Sequence, residues 1–429
     1  MAMLIRSTIF ALATIASATS AQCDPNDLFT PQIRYFVGLN PTSVVLGDLD
    51  GDTDLDMVVA LQTSNDISVL LNTGNGTFNA KQRFEVGINP ESVTLGDLDS
   101  DGDLDMAVAN QSDDTSVLMN NGDGTFAPQT RYSAGSTPRS VALGDLDGDG
   151  DLDMAVANGG SGDTSVFLNN GDGTFEAQIR YLVGVAPTSV ALGDLDGDGD
   201  LDMAVANGVN NDTSILINNG DGTFAPQTRY LAGGHPTSIS LGDLDGDGDL
   251  DMAVANGVDN DTSILLNNGD GTFAPQTRYL AGENPRSVSL GDLDGDGDLD
   301  MVTANTNSTD STATSVLLNN GNGIFDAQIR YSAGDFPLSV TLGDLDGDGD
   351  LDMAVANFLS HDTSVLLNKC IQLPCLADLT GDGVLNFFDV SVFLTYFQFN
   401  NPLADFTGDG EFNFFDVSAF LAAFSQGCL

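Results

Sequence analysis

The sequence has no tryptophan, two histidines, four cysteines and only 12 lysines and arginines against 63 acidic residues, for a formal net charge of −51. Each scarcity excludes something. Nucleic acid is bound by clustered Lys and Arg, so no nucleic-acid partner is expected. An anionic membrane surface repels such a chain. No stretch reaches the roughly 20 apolar residues that span a bilayer, so no membrane insertion is expected. His235 and His361 stand alone in variable segments, where a lone histidine is usually just exposed. There is no Gly-x-Ser-x-Gly elbow and no His-Glu-x-x-His, so the chain reads as a non-enzyme. The missing tryptophans also weaken any case for sugar stacking. Charge of this size ordinarily goes with disorder. Here 41% of the residues are hydrophobic, enough for a core, so the acids must be organised or neutralised.

Residues 1–21 read as a signal peptide: Arg6 gives the positive start, Ile9 to Ile15 the short apolar run, and small residues allow cleavage after Ala18 or Ala21. A secreted or cell-surface location follows, and the cysteines fit an oxidising compartment. Cys23, Cys370, Cys375 and Cys428 all lie outside the repeats described next. They admit three pairings. Cys23 with Cys370 and Cys375 with Cys428 is preferred, on grounds given below.

The string Gly-Asp-Leu-Asp-Gly-Asp-Gly-Asp-Leu-Asp-Met recurs, with variations, from Asp48, Asp97, Asp145, Asp194, Asp243, Asp292 and Asp344. The intervals are 49, 48, 49, 49, 49 and 52 residues. Each unit carries four short β-like runs, in the fourth unit Ser189 to Leu192, Met203 to Asn207, Ser214 to Asn218 and Ala225 to Tyr230. Four antiparallel strands on this period predict the blade of a β-propeller, with seven blades over 28–369. A β-solenoid is the structural rival, with usually shorter repeats. The seventh unit stops at Lys369 without a fourth strand. Phe29 to Tyr35 matches the missing segment, so the N-terminal strand should complete the last blade. That closure would bring Cys23 near Cys370.

The acidic loops have metal-ligand spacing. In Asp194, Asp196, Asp198, Asp200 and Asp202, carboxylates at positions 1, 3, 5 and 9 can converge on one ion, and position 7 can add its backbone carbonyl. Gly at position 6 permits the turn, and Leu at position 8 anchors the loop. Such hard oxygen ligands suit Ca²⁺ rather than zinc or copper. The same positions are Asp48, Asp50, Asp52, Asp54 and Asp56; Asp97, Asp99, Asp101, Asp103 and Asp105; Asp145, Asp147, Asp149, Asp151 and Asp153. They continue as Asp243, Asp245, Asp247, Asp249 and Asp251; Asp292, Asp294, Asp296, Asp298 and Asp300; Asp344, Asp346, Asp348, Asp350 and Asp352. Together the loops hold 35 of the 63 acidic residues, so about seven bound ions would resolve the charge problem. Loop one has Thr53 at position 6 and is expected to be the weakest site.

Loops and strands together resemble FG-GAP/VCBS repeats, the blades of integrin α-subunit-type propellers. The resemblance covers about residues 28–369. It implies a seven-bladed propeller with Ca²⁺ in the loop joining the first two strands of each blade, held by positions 1, 3, 5, 7 and 9.

After a linker, 370–376, the pattern changes. A twelve-residue loop, Asp378, Thr380, Asp382, Val384, Asn386 and Asp389 at its odd positions and position 12, precedes an apolar helical run. It recurs 27 residues later as Asp405, Thr407, Asp409, Glu411, Asn413 and Asp416. This is EF-hand loop logic. The pair, over 377–429, resembles a dockerin, which implies a small helical module with up to two further Ca²⁺ and a cohesin-like partner. Typical dockerins often use small hydroxyl residues at positions 10 and 11 for partner recognition. This chain has Phe387-Phe388 and Phe414-Phe415, which are expected in the module's core. Cys375 and Cys428 bracket the module and would clasp its ends.

In an antiparallel blade the calcium loop shares a face with the third-to-fourth turn, and both are nearly invariant among the repeats. The opposite face collects the connections that vary. His235, Asn284, Phe336 and Phe358 there are candidate ligand contacts for an unknown protein or glycan. Seven repeated arginines (Arg34, Arg83, Arg131, Arg180, Arg229, Arg278 and Arg330) are expected in structural ion pairs. The function expected is a calcium-dependent binding or adhesion scaffold with a C-terminal docking module. A calcium-dependent polysaccharide-active (lyase-like) enzyme and a purely structural surface protein are the alternatives.

Overall fold

The computed structural model describes residues 27–79, 82–306, 313–370, 377, 379–380, 385–399, 401–407 and 411–426. Among them, 28 strands form seven four-stranded sheets. Blade four shows the pattern, with strands Pro187–Gly193, Asp202–Asn207, Asp212–Leu216 and Thr228–Leu231 paired in sequence order. The first strand of each blade packs against the first strands of both neighbours, so these strands form the inner ring.

The second strand explains why one blade cannot stand alone. All six residues of Asp202–Asn207 are buried. Met203 and Val205 pack on Ala155 and Ala157 of blade three, while Ala204 and Ala206 receive Met252 and Val254 of blade five. Large residues on one face of each strand thus meet small residues on the next blade. Strand alternation puts the Met-Ala-Val-Ala run on opposite faces in this way. Burying each Met or Val stabilises the ring by about 1.5–3 kcal/mol. An edge-to-face ring pair completes each interface near the rim, as in Tyr181 with Phe224 at 5.3 Å and Tyr230 with Phe273 at 5.3 Å. Blade one uses Phe84 in place of the tyrosine, against Phe126.

The ring closes through the chain ends. Ile33–Phe36 pairs antiparallel with Asp362–Leu366, so the N-terminal strand is the fourth strand of blade seven. Thr30 N–H donates to Leu367 O at 2.8 Å, and Lys369 N–H donates to Leu28 O at 2.6 Å. Inside the ring, Val44 N–H of blade one donates to Ser339 Oγ of blade seven at 3.2 Å. The same serine contact recurs between other neighbours, as in Val190 with Ser140. Of the four cysteines only Cys370 is described. It is buried and is not a free thiol; the pairings expected for Cys23, Cys375 and Cys428 lie outside the described residues.

Six of the repeated arginines form the ion pairs expected of them. Arg229 meets Asp212 at 2.5 Å and Arg83 meets Asp66 at 2.7 Å; Arg34, Arg131, Arg180 and Arg278 pair with Asp362, Asp114, Asp163 and Asp261. Half-exposed pairs of this kind contribute only ~0.2–1 kcal/mol each.

Two helices follow the propeller, α1 (Phe387–Gln398) and α2 (Phe414–Gln426). Phe393 and Phe420 stack face to face at 4.0 Å and are buried with Ala377 and Ala404. No described helix is long and apolar enough to cross a membrane. One expectation fails here. Phe387, Phe388, Phe414 and Phe415 are 77%, 67%, 75% and 68% exposed, not core. They occupy the first turn of each helix, on the solvent side, because Phe393 and Phe420 already fill the small space between the helices.

Seven asparagines tie the blades together. Asn218 Nδ2 donates to Leu201 O of its own blade at 3.0 Å and to Leu146 O of the preceding blade at 2.8 Å. Asn72, Asn120, Asn169, Asn267, Asn319 and Asn368 do the same. Asn218→Ala removes the donor to Leu201 O and leaves Leu146 O with Gly222 N–H alone, and should cost about 1–3 kcal/mol. Urea denaturation of the calcium-loaded protein measures this; a loss near zero would remove the asparagine from its bridging role.

Candidate metal centres and the opposite face

Each acidic loop follows an inner strand and is shaped by its own carboxylates. Asp194 accepts N–H bonds from Gly197 at 2.8 Å and Gly199 at 3.0 Å, and Asp198 accepts from Asp200 N–H at 2.9 Å. Positions 4 and 6 both take positive φ, +77° at Gly197 and +96° at Gly199. Thr53 is held at φ 77° at position 6, which bears out the left-handed requirement. Ser100, at position 4 of loop two, is a second non-glycine residue in this region, at φ 62°.

The structure gathers part of the expected ligand set directly. One carboxylate oxygen from each of positions 1, 3 and 9 lies within 4.8 Å of the others in Asp48/Asp50/Asp56, Asp145/Asp147/Asp153, Asp194/Asp196/Asp202 and Asp243/Asp245/Asp251. In loop two the group is Asp97/Asp99/Asp101. Position 7 turns its side chain toward the neighbouring turn: a Cβ on Gly122 would sit 2.6 Å from Asp103 Oδ2. The ligand expected from position 7 is its backbone carbonyl rather than this side chain.

Position 9 does something the spacing did not reveal. Asp202 is fully buried, and its two oxygens accept N–H bonds from Leu195 at 2.9 Å and Asn218 at 2.7 Å. One carboxylate thus fastens the loop to the third-to-fourth turn. The same two bonds recur at Asp56, Asp105, Asp153, Asp251, Asp300 and Asp352. Burial pushes these carboxyls up, to about 6 at Asp56, Asp105, Asp153, Asp202 and Asp251, about 7 at Asp352 and about 8 at Asp300.

The residues fit a hard divalent cation. At position 3 a buried Oδ1 has no hydrogen-bond partner in Asp50, Asp99, Asp196, Asp245 and Asp346. A buried carboxylate oxygen without a donor is costly, and burial with the neighbouring aspartates raises the pKa of all five. Positions 1, 3, 5 and 9, with the position 7 carbonyl, would hold the ion. When bound, Ca²⁺ supplies the charge that cancels this repulsion.

In the C-terminal loops Thr380 donates from N–H and Oγ1 to Asp389 Oδ1, at 3.0 and 2.8 Å, and Thr407 treats Asp416 Oδ1 likewise at 3.1 and 2.8 Å. Position 9 closes each loop: Asn386 N–H and Asn413 N–H reach Oδ2 of the same aspartates at 2.9 and 2.8 Å. Asp378, Asp382, Val384 and Asp409 lie outside the described residues.

On the opposite face the four predicted contacts brace the scaffold. His235 N–H donates to Asn211 Oδ1 at 2.9 Å and its Nδ1 meets Gly208 O at 2.9 Å. Asn284 N–H donates to Asn260 Oδ1 at 2.8 Å. Phe336 and Phe358 rings lie 6.0 Å apart. Asn40 N–H donates to His361 Nδ1 at 3.2 Å, latching blade one to blade seven. Neither histidine is therefore a merely exposed loop residue.

The fold and its loops define a seven-bladed propeller with an acidic cluster in each blade. A model of FG-GAP-like repeats matches residues 48–108, 97–156, 145–205, 194–254, 243–303 and 292–355, and the chain belongs to that family. No curated protein matches it significantly. Among solved structures, crystals of BBS1N in complex with ARL6DN are similar. The lead-soaked one has a TM-score of 0.58 at 13% identity, covering 79% of this chain and 97% of that chain. The mercury-soaked one has a TM-score of 0.57 at 13% identity, covering 80% and 98%. At that identity the likeness is one of fold alone.

Two outcomes follow. Metal-free, the folded state holds more protons than the unfolded chain above about pH 4, because the position 9 carboxyls titrate late. Metal-free stability should therefore fall as pH rises from about 4 to about 8, and excess calcium should abolish that fall. Melting in EGTA and in calcium at both ends of this range checks the sign. Thr53→Gly should stabilise the calcium-loaded protein by about 1–2 kcal/mol. Occupancy by native mass spectrometry should show blade one filling last in the wild type; equal filling of all seven blades counts against it.

Proposed function

We propose that the chain is an exported, non-enzymatic calcium-binding protein whose propeller is a binding or adhesion scaffold and whose helical pair is an attachment module. The observation that carries this reading is the division between the two faces. The acidic loops are joined to the next blade through the asparagine bridges, so bound calcium would fasten the ring rather than engage a ligand. Variation among the repeats collects at the other face, where a common backbone carries different side chains. The propeller would take about seven Ca²⁺. Export after removal of residues 1–21 would place it where calcium is plentiful and where the expected cystines form.

The C-terminal reading rests on the loop spacing, the helix after each loop and the two exposed phenylalanine pairs. In a dockerin-like module with up to two Ca²⁺, positions 10 and 11 are where a cohesin-like or other surface partner docks, and these pairs are solvent-facing there. Exposed aromatic clusters of this kind mark interaction surfaces.

Pulldown from extracellular or cell-surface extract with the full-length protein, with and without calcium, tests the proposal. Capture should require calcium. Replacing Phe387, Phe388, Phe414 and Phe415 by Ala should abolish only the partners of the attachment module. Capture and melting temperature both indifferent to EGTA would sink it.

A further inference from the structure

Every inner strand starts with the same three-residue device on the face away from the acidic loops. A residue at positive φ comes first: Asn40, Asn89, Thr137, Ala186, His235, Asn284 and Phe336, at 52–60°. A proline follows, and then a residue skipped by the strand register, since pairing jumps from Pro138 to Ser140 and likewise in the other six blades. A bulge of this kind re-aims its side chain, and bulges gather beside binding sites. The bulge residues are Thr42, Glu91, Arg139, Thr188, Thr237, Arg286 and Leu338. Identical backbone, repeated seven times, thus presents seven side chains around one mouth of the ring.

Three of them are spent on the scaffold. Thr42, Thr188 and Thr237 donate Oγ1–H to Pro90 O, Pro236 O and Pro285 O of the next blade at 2.9, 2.9 and 2.8 Å. Glu91 accepts from Gln62 Nε2 at 2.7 Å and from Gln111 Nε2. Arg139 and Arg286 differ. Six outer-strand arginines sit on aspartates, yet neither of these two makes an ion pair or hydrogen bond with a described residue. Arg286 Nε is buried and has no acceptor. Burial and the Arg139 charge together press the Arg286 guanidinium below its usual range, with Glu91 opposing them. Among the described residues Glu91 is the one carboxylate whose charge acts on both arginines, and it is already held by Gln62 and Gln111; two arginines against one shared carboxylate leave a positive charge unmatched and mark a place for a second carboxylate.

We propose that Arg139 and Arg286 receive a carboxylate side chain of a peptide segment with apolar neighbours, seated at the mouth of the ring opposite the acidic loops. The guanidinium fork matches a carboxylate through two parallel N–H bonds. The apolar flanks follow from what surrounds the mouth. Val185, Val209, Val258 and Leu359 are 56%, 61%, 69% and 56% exposed on the connections of this same face, beside the Phe336–Phe358 pair. The distant negative charge of the loops does not forbid it, since screening acts within about 8 Å at physiological salt.

The proposal deepens the binding reading above and is independent of the attachment module. Its test titrates full-length, calcium-loaded protein with capped hexapeptides carrying one Asp between Leu and Phe residues, with their Asn counterparts, and with trigalacturonate, by fluorescence anisotropy or calorimetry. The Asp peptides should bind at least tenfold tighter than the Asn ones. R139Q/R286Q should weaken them at least tenfold, and R229Q, which removes a paired arginine on an outer strand, should not. R286Q should leave the melting temperature unchanged or raised, because Arg139 still offsets Glu91 while the unmatched positive charge is removed. Equal binding of Asp and Asn peptides, binding of neither, no effect of the double variant, binding of trigalacturonate alone, or a lowered melting temperature in R286Q overturns the assignment. Calcium-dependent capture that survives R139Q/R286Q overturns this site while leaving the wider binding function intact.

Discussion

The ninth aspartate of each acidic loop is buried, and both of its oxygens must be met by backbone N–H groups from two different segments. Most of the ring is arranged around that demand. The loop has to curl so that the second residue offers its N–H, which places residues at positions 4 and 6 in positive φ. The third-to-fourth turn has to come alongside so that its asparagine offers the other. That asparagine's side chain is then free to reach back to the preceding blade. A single charged group, hidden from water, therefore fixes the loop, the turn and the seam between blades at once. The same burial makes the group reluctant to ionise, which gives a divalent cation its purchase on the fold.

Much of this was legible in the sequence because repetition multiplies weak signals. One Asp-x-Asp-x-Asp-Gly string is an ordinary acidic turn; seven at intervals of 48–52 residues with matching strands fix blade count, strand order and loop position. The swap of the last strand to the N-terminus was readable for the same reason, since Phe29 to Tyr35 fills a gap that the pattern exposes. What escaped were contacts between residues that look alike in every repeat. Asp202 and Asn218 read as a ligand and a turn residue, and nothing in their spacing says that they hold one another. The bulge positions escaped for the opposite reason: Arg139 and Arg286 are irregular, and irregularity in a repeat looks like drift until the register shows which side chains it re-aims. The phenylalanine pairs depart from the expected core because hydrophobicity alone does not bury a side chain: a two-helix unit already filled by Phe393 and Phe420 has no room for four more rings.

The two faces of the ring divide labour by chemistry. On one, oxygen atoms crowd together and ask for a cation. On the other, acidic groups are largely matched by arginines, Arg139 and Arg286 stand beside the single Glu91, and aliphatic side chains of the connections are exposed to solvent. The backbone is as constrained on this second face as on the first: seven residues, among them Thr137 and Phe336, occupy a conformation that suits glycine or asparagine. Strain kept at one mouth and relieved by latches such as Asn40 to His361 gives rigid display, the property a recognition surface needs.

The closure of blade seven by the N-terminal strand also sets an order of events. Residues 33–36 are made first and can find their partner, residues 362–366, only after nearly the whole ring exists. Until then both ends are open sheet edges, the kind of surface that recruits a second chain. Contacts spanning more than 300 residues are also the slowest to form by chance. A ring shortened by one unit, or halted before the seventh, keeps its open edges for good. The number of repeats is thus not free to drift one at a time: the interlock makes seven a threshold, and the chain is committed to the circle only when its last strand arrives.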